Sequence, residues 1–326
     1  MKAAIVTSPG KKPSYGEFPS PVGREGFEVI TVTAAALTNL TKGRAAGSHY
    51  SADNHYPFIP GVDGVGTLAD GRRVYFAMPE APFGAMAEQT LVDPRRTIAL
   101  PDKLDDLAAA ALANPGMSCL AALIERARFR VGEAVLINGA TGAAGFVAVQ
   151  VAKQLGASRV IVTGRNAQEL EALRSLGADV VIPFDLRPEN PQGVEQFEQA
   201  LTAAFADGLD VVVDYLWGSS ARTIIVAVAK AVDDAHPVRF VQVGEASREP
   251  VDFPAAALRS SAIQIMGSGL KSVPLPRLLE CIRRTFDLAA QGKLYLPTKV
   301  VPLSTVTDNR DAPGKPRPVF AVKKGA

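Results

Sequence analysis

The sequence is poor in the residues that build disulfides and metal centres. Among 326 residues only two are cysteine, Cys119 and Cys281, and three are histidine, His49, His55 and His236. Two cysteines so far apart in sequence make no disulfide framework, so a reducing, cytoplasmic setting is expected. Zinc needs at least three close Cys, His or carboxylate ligands. Unaccompanied, the two thiols read as buried small hydrophobes. The N-terminal run Met-Lys-Ala-Ala-Ile-Val-Thr lacks the apolar core of a signal peptide. No stretch of eighteen apolar residues occurs, so no membrane span is expected. No sign of charge dominates either. The net charge is +2 with both signs interspersed, which gives no reason to expect nucleic acid or an anionic membrane as partner. Internal repeats and low-complexity segments are absent.

What is present is ordinary globular material, 47% hydrophobic and 21% charged, in a chain long enough for two domains. Residues 1–110 read as mostly β. Ala3–Thr7 is short and apolar, and Phe27–Ala36 is rich in β-branched residues. Asp70-Gly71 between Val65–Leu68 and Arg73–Phe76 is a hairpin signature. From Asp105 to Arg128 the chain is Ala- and Leu-rich and reads as helix. Strands are then expected at Ala134–Asn138, Arg159–Thr163, Asp179–Pro183, Leu209–Asp214, Arg239–Val243 and Ala262–Met266. Helical stretches separate most of them, and Leu275–Gln291 follows the last. Near-continuous apolar strands with helical crossovers predict an α/β unit whose parallel sheet is covered on both faces. Six is the strand count of a doubly wound dinucleotide-binding sheet. The proline-rich tail Tyr295–Val322 returns to short strands and is expected to rejoin the N-terminal β domain.

The sharpest chemical signal is Asn138-Gly139-Ala140-Thr141-Gly142-Ala143-Ala144-Gly145, between the first of these strands and the helix Ala144–Leu155. Such a turn leaves backbone N–H groups free and lets a pyrophosphate approach, and the helix N-terminus adds partial positive charge. Thr141, Gly142, Ala143 and Ala144 are therefore expected to hold the cofactor phosphates. The spacing is G-x-x-G-x-x-G, so its weight comes from the strand before and the helix after. The second strand ends in Thr163-Gly164-Arg165-Asn166. An acid usually stands here to bind the ribose hydroxyls of NADH. This chain has none. Arg165 suits a 2′-phosphate, Gly164 leaves space and Asn166 offers a hydrogen bond, so NADPH is the expected cofactor. The plainer alternative is that Arg165 is a solvated surface charge. Gly244 and Gly267-Ser268-Gly269 follow the fifth and sixth strands, where open α/β sheets bind ligands, and are expected to line the nicotinamide side. Tyr215 and Trp217 either wall the cleft or pack at a domain interface.

Together these features resemble the medium-chain dehydrogenase/reductases, in the zinc-free branch that includes quinone oxidoreductases and enoyl reductases. The resemblance runs through Pro60-Gly61-Val62-Asp63-Gly64-Val65-Gly66, Asn114-Pro115-Gly116-Met117-Ser118, Gly132–Ile137 with the glycine turn, and the C-terminal Pro302-Leu303-Ser304 and Arg317-Pro318-Val319-Phe320. It implies a GroES-like β domain of residues 1–114 and 291–326 and a doubly wound Rossmann domain of residues 115–290. It implies a homodimer paired along the sixth strand, near Ser261–Met266. Zinc-dependent relatives carry a His where Val62 stands and a Cys near Leu37–Lys42, so no metal is expected. Asn39 resembles the asparagine that zinc-free members place near the nicotinamide, although Lys42 stands where they often have Asp. By the same analogy Ala46–Ser51 borders the cleft, and Tyr50 is the candidate catalytic residue, a substrate-contacting hydroxyl.

Without a Lewis acid, alcohol oxidation is disfavoured. Hydride transfer to a small-molecule quinone or activated C=C bond asks less of the protein, which must position substrate and exclude water. Two rivals stand beside this reading. Tyr295-x-x-x-Lys299 has the spacing of a short-chain dehydrogenase pair, but Pro297 would break the helix that pair requires. A non-catalytic NADPH sensor, or a structural protein, would share the fold.

Overall fold

The computed structural model describes residues 1–49, 55–309 and 315–322. The chain divides into two compact units, Met1–Asn114 with Arg283–Ala326, and Pro115–Ile282.

In the first unit β1 (Lys2–Ile5) and β2 (Ser14–Glu17) form an antiparallel pair. The long β3 (Glu28–Ala36) leads into the short helix α1 (Asn39–Ala45), whose N-cap Thr38 accepts from Thr41 N–H. Strands β4 (Asp63–Thr67) and β5 (Arg73–Ala77) are the hairpin legible in the sequence, with Gly71 at φ +88° and the Asp70 carboxylate accepting from Arg72 N. Strands β6 (Gln89–Val92) and β7 (Thr97–Ala99) pair with β3 and β5. Helix α2 (Asp106–Leu120) follows and widens into a π turn, Ala121–Arg126. By length and composition the run Asp106–Arg126 could cross a membrane, whereas none was expected to. Most of it, 67% of its most apolar window, is buried inside the protein, as in a core helix. Asn114–Ser118 lies inside α2, where Pro115 omits one backbone donor and the Ser118 hydroxyl donates to the Pro115 carbonyl.

The second unit alternates as expected. Its strands are β8 (Ala134–Asn138), β9 (Arg159–Gly164), β10 (Val180–Pro183), β11 (Val211–Asp214), β12 (Pro237–Gln242) and β13 (Ala262–Gly267). Between them run α3 (Ala143–Gln154), α4 (Ala167–Ala172), α5 (Gly193–Phe205), α6 (Gly218–Ala231) and α7 (Ala255–Arg259), and α8 (Leu275–Ala290) follows. All six strands are parallel, in the order β10-β9-β8-β11-β12-β13. The order reverses between β8 and β11, which creates the crevice where such sheets bind ligands. One face of the sheet buries Leu136, Ile161, Val212 and Phe240 against Phe197, Leu201, Ile224 and Val228. At about 25 cal/mol per Å² of apolar surface, each such side chain contributes about 1.5–3 kcal/mol.

The tail closes the first unit. Strand β14 (Thr298–Pro302), the one-turn helix α9 (Val306–Asn309) and β15 (Arg317–Ala321) extend the N-terminal sheet to β14-β15-β3-β4-β5-β7. Val319 pairs with Ala36, so the tail rejoins the N-terminal β domain as its prolines and short apolar pieces suggest. Tyr295 is exposed and outside any helix, and Lys299 lies in β14, so the Tyr–Lys spacing does not form a helical pair. This is an α/β protein with an N-terminal sheet that is antiparallel except for the parallel β14–β15 pair, and a doubly wound parallel sheet.

Candidate functional site

The glycine turn is held from behind by the neighbouring strand. Gly139 N–H and Ala140 N–H both donate to the Thr163 carbonyl, each at 3.0 Å, and Gly139 adopts φ +85°. Helix α3 then starts at Ala143 with Gly142 as its N-cap and no side chain capping it. The N–H groups of Ala143, Ala144 and Gly145 therefore lack intrahelical acceptors and carry the positive end of the helix dipole. A Cβ on Gly145 would stand 2.4 Å from the Gly139 carbonyl oxygen, so this glycine lets the helix close on the turn. A Cβ on Gly142 would meet only that oxygen, at 3.5 Å, which leaves the mouth of the turn open. Donors without acceptors beside an open backbone cradle fit a pyrophosphate.

The β9 turn adjoins it. A Cβ on Gly164 would stand 3.5 Å from the Thr141 side chain and 3.4 Å from Leu170. That is ordinary contact, and it brings Thr141 and Gly164 together. Arg165 is exposed and makes no ion pair among the described residues. Asn166 is already employed: as N-cap of α4 its Oδ1 accepts from Glu169 N–H at 3.2 Å, while its amide donates to the Glu169 carboxylate at 2.8 Å.

Gly244 N–H donates to the Asp214 carbonyl, and a Cβ there would lie 2.7 Å from the Tyr215 carbonyl oxygen. Close backbone approach is why glycine follows β12. Gly267 ends β13 and accepts from Arg126 Nε at 2.7 Å; Ser268 N–H donates to Gln242, and Gly269 N–H to the Ser272 hydroxyl. Trp217 sits at φ +65° with its ring tilted 56° to that of Phe253, centroids 5.7 Å apart, and Tyr215 is buried. Asn39 is the exposed first residue of α1, in the other unit. Tyr50 lies outside the described residues.

Two buried polar clusters escaped the sequence reading. In the Rossmann unit the fully buried Asp214 and Asn138 hydrogen-bond to each other. Burial pushes the Asp214 carboxyl up to about 6, against the pull of Leu216 N–H, the Asn138 amide and Trp217 N–H. In the β unit, burial likewise pushes Asp63 up to about 6 although Tyr75 donates to it and Arg317 attracts it. Arg317, itself buried and lowered to about 10, donates to the Leu37 carbonyl at the entry to α1.

The chain is similar in sequence and fold to known proteins. Residues 143–284 match the family model described as zinc-binding dehydrogenase. The chain is 28% identical over 315 residues to a probable NADPH-dependent quinone reductase of Emericella nidulans, covering 83% of this chain and 85% of that protein. It is 32% identical over 178 residues to an NADPH-dependent alkenal/one oxidoreductase of Arabidopsis thaliana, covering 49% of this chain and 46% of that one, so it spans about half the length of this relative. Among solved structures, the quinone oxidoreductase of Thermus thermophilus, determined also in complex with NADPH, superposes with a TM-score of 0.78 at 26% identity over 99% of this chain and 100% of that one.

In sequence and fold the chain is similar to the medium-chain dehydrogenase/reductases.

Among these proteins it is quinone oxidoreductase-like. The zinc-binding dehydrogenase match begins at Ala143, after the Val62 turn and the Leu37–Lys42 segment where zinc-dependent members carry ligands. In this chain Val62 is a buried apolar side chain, and the described residues bring no three His, Cys, Asp or Glu into a metal-holding group. Both cysteines are buried and neither forms a disulfide; Cys119 donates to the Gly116 carbonyl, and burial first, then Cys281, raises its thiol far above the usual range.

Proposed function

We propose that this chain is a reductase that uses NADPH to reduce a quinone or an activated C=C bond, without a metal. The observation that carries the reading is the uncapped start of α3 beside a second-strand turn that presents Arg165 in place of an acid. In this reading the N–H groups of Ala143, Ala144 and Gly145 bind the pyrophosphate, and Arg165 pairs with the 2′-phosphate. Gly244 and Gly267-Ser268-Gly269, at the ends of β12 and β13, hold the nicotinamide end. The bound cofactor supplies the hydride. The chain supplies orientation and water exclusion, with Asn39 assigned to the nicotinamide and Tyr50 to the substrate by family likeness. Val62 in place of a histidine supports a metal-free site, and the relatives named for quinone and alkenal/one reduction support the acceptor class.

The test is NADPH oxidation by the purified chain against a panel of quinones, enones and aldehydes, with elemental analysis of the same sample. Turnover with quinones or enones at substoichiometric zinc is the expected result. Tight NADPH binding with no turnover on any acceptor would make the chain a binding module, and activity that tracks stoichiometric zinc would overturn the metal-free reading.

A further inference from the structure

We propose that Asp214, acting through Asn138, is a positioning residue that sets the turns of the cofactor cradle against one another; the assignment rests on the nucleotide-binding reading above. Three polar side chains stand in register across adjacent parallel strands: Thr163 pairs with Asn138 in the β9–β8 ladder, and Asn138 with Asp214 in the β8–β11 ladder. All three are fully buried, and Ser220, in the first turn of α6, is nearly so. The Thr163 hydroxyl donates to Asn138 Oδ1 at 2.7 Å. Asn138 Nδ2 donates to Asp214 Oδ1 at 2.8 Å and to Ser220 Oγ at 2.9 Å. The Ser220 hydroxyl donates to the Trp217 carbonyl at 3.1 Å. The Asp214 carboxylate also accepts from Leu216 N–H and Trp217 N–H, each at 3.0 Å. Both amide N–H donors of Asn138 and its amide oxygen are thus engaged, which fixes its amide orientation.

Each strand residue of this row is followed at once by a cradle segment. Gly139 follows Asn138, Gly164-Arg165 follows Thr163, and Tyr215-Leu216-Trp217 follows Asp214. The segments also touch: a Cβ on Gly139 would lie 2.8 Å from the Leu216 side chain. The Asp214 carbonyl accepts from Val243 and Gly244 N–H, which ties in the end of β12. A core this apolar does not need a carboxylate, and burying one without a cation is costly. No ion pair to Asp214 exists among the described residues. The carboxylate instead holds Trp217 at φ +65°, ψ −158°, a conformation that L residues rarely adopt. Buried charge and local strain kept together at the mouth of a ligand crevice mark a positioning device.

Trp217 is the only tryptophan in the chain, so its emission reports this turn directly. The experiment measures NADPH affinity by calorimetry, Trp217 emission and Tm for the full chain and for Asp214→Asn, Asn138→Leu and Thr163→Val. An amide at 214 always turns an N–H toward one of its present donors. The Asp214→Asn and Asn138→Leu variants should weaken NADPH binding about tenfold or more and shift Trp217 emission. Thr163→Val loses only the outermost bond and should weaken binding about two- to tenfold. Val212→Ala, in the middle of β11, lowers Tm by cavity formation and should leave affinity and emission unchanged. Wild-type affinity and emission in the network variants, or losses no larger than those of Val212→Ala at equal Tm, would overturn the proposal. If Asp214→Asn does not fold, Thr163→Val decides alone: an unchanged affinity overturns it. Failure of the wild type to bind either NADPH or NADH sinks the nucleotide reading itself, and the proposal with it.

Discussion

Arg165 stands exposed on the turn after β9, two residues beyond the Thr163 carbonyl that anchors the glycine turn. A charge-assisted, bidentate contact with phosphate is worth about 1.5–3 kcal/mol, or roughly ten- to a hundredfold in affinity. Arg165→Ala should weaken NADPH binding by about that factor and leave NADH nearly unchanged, as read by cofactor titration. Equal weakening of both would show that Arg165 does not read the 2′-phosphate. At this scale the sequence was informative where chemistry depends on a residue's type and immediate neighbours. It was less so for Asn166, which looks like a free polar side chain beside Arg165. Its role as N-cap of α4 depends on where the helix begins, three residues before Glu169.

At the scale of elements, the entry to α1 is tied to β15 and β4 through a buried charge cluster. Arg317 on β15 donates to the Leu37 carbonyl, and Asp63 on β4 accepts from Tyr75 on β5. The Asp63 carboxyl ionises near 3.8 when unfolded and near 6 when folded. Between those values the native state holds a proton that the unfolded state has lost, so the contribution is fully present below pH 3.8 and is lost as pH rises through 6. A shift of this size is worth up to about 3 kcal/mol. Urea unfolding should therefore show wild-type stability falling between pH 4 and 7 more steeply than that of Asp63→Asn. Identical slopes would assign the titration elsewhere. Periodicity and turn residues placed most elements of the Rossmann unit within a residue or two. They did not show that α4 tightens to a 3₁₀ turn at Leu173–Leu176, nor that α2 opens into a π turn at Ala121, because both adjustments answer to packing.

For the whole molecule the open question of assembly lies along β13. It pairs with β12 on one side only, and Ile265 on it and Leu258 on α7 are 38% and 43% exposed. An apolar edge strand left unpaired is a liability, and a homodimer formed along it is the proposal. Light scattering should give twice the chain mass at micromolar concentration, and Ile265→Lys should lower it toward the monomer. A monomeric wild type would count against the pairing.

The sequence by itself determined the fold class, the succession of strands and crossover helices along the chain and the place of the glycine turn. Those follow from local periods of apolar residues and from glycines needed at particular backbone positions, which neighbours in sequence reveal. Only the tertiary structure decided that positions 138, 163, 214 and 220 form one buried network, and that Asp63 and Arg317 share another. Parallel pairing aligns residues separated by whole crossover helices, and no local pattern records which polar side chains then meet out of reach of water. The same is true of the helix Asp106–Arg126: its composition suits a membrane as well as a core, and burial among other elements is what tells them apart.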